Sequence, residues 1–200
     1  MKKSDLPLRR PDDDLTYRDY KSWPAEEHWE LIHGVTYSMS AASDPNHRKL
    51  TEALLTELQN FLEGKGCRVR AASLDVLLPD ELGQDVDEFS TVVQPDIAVI
   101  CDKKKFTKQG CIGPPDLIIE ILSPSISPED MEVKNRLYEE YGVREFWILD
   151  PGNRNVQVYL LDGREKYPAD PAVYTEDGTV SCAVLPGLLI NLGEIFRKLD

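Results

Sequence analysis

Basic side chains are scarce beside acidic ones: 23 Lys and Arg face 36 Asp and Glu, a formal charge of −13 over 200 residues. A chain this acidic repels nucleic acid and anionic membranes as a whole, so any contact with a polyanion has to be local. The local patches are Lys103-Lys104-Lys105 with Lys108, and the pair Arg68 and Arg70. No apolar run approaches the ~18 residues of a membrane span. Met1-Lys2-Lys3 is not followed by the apolar stretch of a secretory signal. A cytoplasmic protein with no membrane partner is expected. Cysteine is also sparse, and Cys67, Cys101, Cys111 and Cys182 show no C-x-x-C spacing. That argues against structural zinc and favours reduced thiols. The sequence also lacks a P-loop, a Rossmann glycine pattern, a zinc finger and any internal repeat.

What is present suits one globular domain: 41% hydrophobic and 30% charged residues. Residues 1–15 carry Pro7, Pro11 and three successive aspartates, the composition of a flexible tail, so the domain is expected over 16–200. LTYRDYKSWP reads as a short helix or turn, and WELIHGVTYSM as a hairpin turning at His33-Gly34. Asp44-Pro45 opens a long helix that Gly64 closes. Its Leu50, Ala53, Leu54, Leu58, Phe61 and Leu62 form one apolar stripe, with His47 and Glu57 projecting into the same arc. CRVRAASLDVLLP reads as one strand carrying Asp75. EFWILD and NVQVYLLDG form a later hairpin about Asp150-Pro151-Gly152-Asn153, and LGEIFRKL makes a closing helical turn.

Residues 94–151 hold the chemistry. DIAVI (96–100) and LIIEIL (117–122) are the short β-branched runs of strands buried on both faces, and each carries one carboxylate, Asp96 or Glu120. A buried carboxylate needs a partner, a metal or a shifted pKa. The hairpin through residues 101–115 would set the two strands side by side. The helix that follows has Ser127 as N-cap, Pro128 at the first helical position, Asp130 where a capping-box acid sits, and Gly142 beyond its end. With Met131 at zero and about 100° per residue, Leu137, Tyr141 and Tyr138 fall near 240°, 280° and 340°, and Asp130 and Lys134 fall between them near 260° and 300°. Both charged residues are therefore expected to face the sheet. Two strand carboxylates and a helical lysine would satisfy one another, and hard oxygen donors favour Mg²⁺ or Mn²⁺. The lysine could orient or deprotonate a water, or neutralise charge in a transition state.

The order of these motifs, QPDIAVI, GPPDLIIEILSPS, D-x-x-x-K and YGVREFWILDP, resembles the bacterial restriction-endonuclease-like family within the PD-(D/E)XK nucleases, over about residues 30–196. The resemblance implies an α/β fold: a restriction-endonuclease-like core with a mixed central β-sheet flanked by helices, an N-terminal hairpin and a C-terminal hairpin extension. It implies a Mg²⁺- or Mn²⁺-dependent endonuclease that hydrolyses DNA phosphodiesters by a metal-activated water. By that resemblance Asp96 and Glu120 would be the metal ligands, the backbone carbonyl of Ile121 a further ligand, and Lys134 the catalytic lysine. Leu122 stands where the superfamily has its in-strand lysine, so Lys134 would be a replacement arriving from the helix. Asp130 would orient that lysine or add a ligand. Glu30, His47 and Asp75 are further candidates for the site, and cutting both strands of a duplex would be easiest for a homodimer.

Each candidate also has a plainer role: a helix cap for Asp130, a core histidine for His47, an edge-strand acid for Glu30, and a structural ion pair for Lys134 with Glu120. Ser123 and Ser125 read as turn and capping residues, since no His and Asp accompany them. Two other functions stay open. One is a catalytically decayed nuclease fold that binds nucleic acid or protein, favoured by the charge of −13 and the missing in-strand lysine. The other is a metal-dependent hydrolase of smaller phosphate esters.

Overall fold

Strands that are apolar at every position need cover on both faces, and this chain supplies it with helices, a second sheet and a two-stranded ribbon. The computed structural model describes residues 14–24, 29–38, 44–71, 74–124 and 127–200. The expected flexible tail therefore lies outside the described residues except for Asp14 and Leu15. In chain order, α1 (Tyr17–Tyr20) leads to β1 (Trp29–Ile32) and β2 (Val35–Ser38), then α2 (Pro45–Leu62). Next come β3 (Arg68–Ala71), β4 (Val76–Leu78), β5 (Thr91–Val93), β6 (Ile97–Ile100), β7 (Cys111–Ile112) and β8 (Leu117–Ile121). After α3 (Pro128–Glu140) follow β9 (Glu145–Asp150), β10 (Asn155–Leu160), β11 (Ala172–Thr175), β12 (Thr179–Ser181), β13 (Leu189–Asn191) and α4 (Leu192–Phe196).

The main sheet has six strands in the order β11-β10-β9-β8-β6-β3 and is mixed: β8 and β9 run parallel and the other pairs antiparallel. One face packs Ile97, Val99, Leu117, Ile119, Trp147 and Leu149 against α2, α4 and the β12–β13 ribbon. The other face packs Ala98, Ile100, Ile118, Phe146 and Ile148 against Met131, Leu137 and Tyr138 of α3. Onto that second face comes a five-stranded sheet, β2-β1-β5-β4-β7, through Ile32, Val76, Leu78 and Val93. The mixed central sheet flanked by helices is thus observed, together with both hairpins. The N-terminal hairpin turns where His33 (φ 48°) and Gly34 (φ 75°) both adopt left-handed backbone, as a two-residue β-turn between twisted strands requires.

Four sequence expectations are corrected. Residues 67–79 do not form one strand: β3 pairs with β6 in the main sheet, while β4 pairs with β5 and β7 in the second. An apolar alternation does not reveal which sheet each half joins. The expectation of reduced thiols fails for Cys67 and Cys101, which are joined in a disulfide. The β3–β6 register pairs Arg68 with Ile100, so the next position sets the two cysteines face to face, a juxtaposition that their separation of 34 residues does not betray. Cys111 and Cys182 are free and buried. Glu57 is exposed: the buried stripe of α2 runs through His47, Leu50, Leu54, Leu58 and Leu62, and Glu57 falls roughly 80° from its centre. Asp130 does not turn to the sheet, as described below.

Candidate active site

Continuing the β6–β8 register of Ile97 with Ile119 by one residue sets Asp96 against Glu120. Asp96 stands just before β6, and its Oδ2 accepts the Ile121 backbone N–H at 2.8 Å, which fixes its carboxylate in the opening between the two strands. Glu120 alternates with Ile118 on the face covered by α3 and is 2% exposed. Directly above it, Lys134 extends from the middle of α3, its side chain 13% exposed. Its ammonium lies 2.9 Å from Glu120 Oε1 and 3.2 Å from Glu30 Oε1. Glu30 belongs to β1 of the second sheet and is itself 3% exposed. The group therefore sits at the seam where the two sheets and α3 meet. Burial of Glu30, Glu120 and one lysine is tolerable because the lysine pairs with both acids, while Asp96 is met by the Ile121 N–H and by His47.

Sequence reasoning did not single out several of the supports. Tyr138, one helical turn beyond Lys134 and fully buried, donates its hydroxyl to Glu120 Oε1 at 2.6 Å. The signal was available, since a tyrosine in a helix's buried arc needs a partner for its hydroxyl. The Gln94 backbone N–H donates to Glu30 Oε1 at 2.9 Å. The Gln94 side-chain amide meets Asp75 Oδ1 at 2.8 Å and Tyr20 Oη at 3.0 Å, and the Tyr20 hydroxyl donates to Asp75 Oδ1 at 2.9 Å. Asp75 thus belongs to an adjoining cluster that backs the site through Gln94.

His47, in the first turn of α2, brings Nε2 to 3.0 Å from Asp96 Oδ2. That contact raises its pKa, against the opposing effect of burial. Its Nδ1 is buried with no partner among the described residues. Asp130 is occupied elsewhere: its Oδ2 accepts the Ser127 N–H at 3.0 Å while its own N–H donates to Ser127 Oγ at 3.1 Å. This reciprocal box caps α3, and the partners of Lys134 are Glu30 and Glu120 rather than Asp130.

Two features bear on whether a divalent cation suits these residues. Glu30, Glu120 and Asp96 each receive their protein donors on one oxygen, Oε1, Oε1 and Oδ2, and no described residue donates to the other. The cluster also carries surplus negative charge, three carboxylates against Lys134 and His47. Burial pushes the Glu120 carboxyl up to about 7, reinforced by Asp96 and Glu30 and opposed by Lys134 and Tyr138. The Lys134 ammonium is held charged, its pKa raised by Glu120 and Glu30 in spite of burial. Among the described residues no three His, Cys, Asp or Glu side chains form a closed metal cage. A pair of carboxylates with free oxygens is instead the donor set of Mg²⁺, which keeps most of its waters. The residues fit such an ion.

The fold and sequence have known counterparts. The chain has the fold of a crystal structure described as a putative nuclease belonging to DUF820 from Anabaena variabilis, with a TM-score of 0.73 and 19% identity, covering 93% of this chain and 99% of that one. An uncharacterized protein of Synechocystis sp. is 27% identical over 137 residues, 68% of this chain and 67% of that protein. The model of the Uma2 family, described as "Putative restriction endonuclease", matches residues 17–193. With its model matched over nearly the whole domain, the chain belongs to the Uma2 restriction-endonuclease-like family.

Proposed function

We propose that this protein is a metal-dependent endonuclease that hydrolyses DNA phosphodiester bonds, with Asp96, Glu120 and Lys134 as its working groups. The observation that carries the reading is the contact of the Lys134 ammonium, from α3, with Glu120 of β8 at 2.9 Å, where Asp96 stands opposite. Asp96 and Glu120, with the backbone carbonyl of Ile121, would hold a divalent cation, which when bound supplies Lewis-acid polarisation of the phosphate and a more acidic water.

The chain's own groups do the rest. Lys134 offers N–H donors and a fixed positive charge to a phosphate oxygen or to the attacking water, where the charge of the transition state develops. Glu30 anchors that ammonium, and the Gln94 N–H anchors Glu30 in turn. Tyr138 holds the Glu120 carboxylate in one rotamer by binding Oε1. Asp96 is aimed by the Ile121 N–H and by His47. A site closed on two sides by sheets and above by a helix excludes bulk water and strengthens each of these contacts.

The test is cleavage of supercoiled plasmid and labelled oligonucleotide in Mg²⁺ or Mn²⁺ by the wild type, Glu120→Gln and Lys134→Gln. Cleavage should require the metal, stop with a chelator, and fall about 100-fold or more in each variant. Equal cleavage by all three proteins would reject the reading. The charge of −13 favours one rival, a hydrolase of small phosphodiesters. That enzyme would cut bis(p-nitrophenyl) phosphate with the same dependences and leave DNA intact. Cutting both strands of a duplex from one site per chain calls for a homodimer, which light scattering would detect.

A further inference from the structure

Two basic stretches far apart in the chain meet on one edge of the main sheet. β3 is the edge strand, and its register sets Arg70 beside Ala98 and Arg68 beside Ile100. Ala98 in turn lies beside Ile118 of β8. Arg70, Ala98 and Ile118 therefore form one row across the sheet, and Glu120 stands two residues further along β8 on the same face. Two strand spacings across and one pleat along put the Arg70 backbone roughly 12 Å from that of Glu120. Ala98 and Ile118 between them are buried under the second sheet, so a ligand on the strip reaches the site around that row and not across it. Arg68 lies one pleat farther out.

The two guanidinium groups share a support. Both lie over the ring of Phe106, 5.6 Å and 5.5 Å from its centroid. Phe106 directly follows the 3₁₀ turn Lys103–Lys105, in which Lys105 is tied to the Pro114 carbonyl at 2.5 Å while Lys103 and Lys104 are exposed. The neighbouring Asp102 carboxylate accepts the Lys104 backbone N–H. Among the described residues Arg68, Arg70, Lys103 and Lys104 form no ion pair, in a chain with 36 acidic side chains. Arginines held side by side without acids repel each other in the free protein, and an anion lying along them relieves that repulsion. Arginines a pleat apart along a strand, about 7 Å between their backbones, match successive phosphates of a nucleic-acid strand, a group that a guanidinium binds in a forked geometry. In the free protein the Arg70 Nη1 donates to the Val69 carbonyl at 2.9 Å.

We propose that Arg68, Arg70 and the exposed lysines beside Phe106 form a phosphate-binding strip that holds a nucleic-acid strand beside the Glu120–Lys134 site. The strip gives a polyanion a foothold on an otherwise repelling surface, and its direction along β3 sets the path of the strand. The proposal rests on the phosphodiesterase reading for what happens to that strand at the site.

The experiment is fluorescence anisotropy of a labelled single-stranded DNA oligonucleotide, titrated in Mg²⁺ with the full chain carrying Glu120→Gln so that the strand is not cut. Adding Arg68→Ala and Arg70→Ala should weaken binding at least tenfold and lower the slope of log affinity against log salt by about 1.4, roughly 0.7 for each single-strand phosphate that is no longer neutralised. Arg68→Lys with Arg70→Lys should retain most of the slope. The control pair Arg197→Ala and Lys198→Ala, exposed on the opposite side of the sheet near α2, should bind within twofold of the parent. The strip is overturned if the double alanine variant keeps its affinity and slope, if the control pair weakens binding as much, or if the parent binds no oligonucleotide. Binding that depends on the strip in a protein whose wild type never cleaves would reject the nuclease reading alone. Cleavage with binding indifferent to Arg68 and Arg70 would reject the strip alone.

Discussion

An ammonium 2.9 Å from one buried carboxylate and 3.2 Å from another serves the fold as well as any reaction, so loss of activity and loss of stability have to be read separately. Glu120 allows this. Its carboxyl is raised from the ordinary 4.5 to about 7 because burial, Asp96 and Glu30 outweigh Lys134 and Tyr138. The folded state therefore holds the Glu120 proton more tightly than the unfolded chain does. The stability this brings is complete below the unfolded value and is lost as pH rises through about 7. Glu120→Gln has no charge to bury and escapes that loss. Thermal melts in chelator should show the variant gaining on the wild type between pH 4.5 and pH 7.5 while its cleavage in Mg²⁺ is lost; a gap that does not change with pH would refute the burial argument. Lys134→Gln should behave oppositely, losing on the order of 3 kcal/mol because Glu30 and Glu120 lose their shared cation, read as a fall in denaturant midpoint at unchanged slope. Asp96, Glu120 and Lys134 were legible individually as charges in apolar settings. Tyr138 was legible only as a buried hydroxyl in need of some partner, and the Gln94 N–H that holds Glu30 was not legible at all, because a backbone N–H gives no compositional signal.

α3 carries Lys134 to its place, and its position depends on its N-terminus. Ser127 and Asp130 satisfy each other's backbone N–H groups, and Pro128 presets the first turn. Ser127→Ala should cost about 1 kcal/mol, or about 2–4 °C in Tm for a domain of this size. Asp130→Ala should cost a similar amount, and its remaining folded fraction should cleave at the wild-type rate. A rate loss well beyond the unfolded fraction would return Asp130 to the chemistry. Caps, helix periodicity and the His33-Gly34 turn are local, which is why these elements could be read from sequence. The division of residues 67–79 between two sheets was not readable. Strand partnership depends on contacts remote in sequence: β3 finds β6 and β4 finds β5, each more than ten residues away.

Across the whole molecule, the site draws on β1, β6, β8, α2 and α3, so it exists only when the two sheets have docked. The Cys67–Cys101 bridge ties the edge strand β3 to β6 at the end remote from Asp96, while Cys111 and Cys182 are buried, their thiols pushed up by burial. A thiol titration should find none accessible in the native protein, two after denaturation and four after reduction; four without reductant would remove the bridge. The fold class was visible in the order of apolar runs and turns. The second sheet and the bridge were not, because both follow from register.

In the proposed mechanism, hydrolysis depends on where the ammonium stands in space rather than in sequence. Leu122, two residues beyond Glu120 along the β8 strand direction, packs with α3 residues on the same face. Single-turnover cleavage should therefore be measured for the wild type, Lys134→Gln, and Lys134→Gln with Leu122→Lys. The expected outcome is a fall of about 100-fold in the single variant and recovery of at least tenfold when the strand supplies the lysine. Cleavage by Lys134→Gln at the wild-type rate would contradict it.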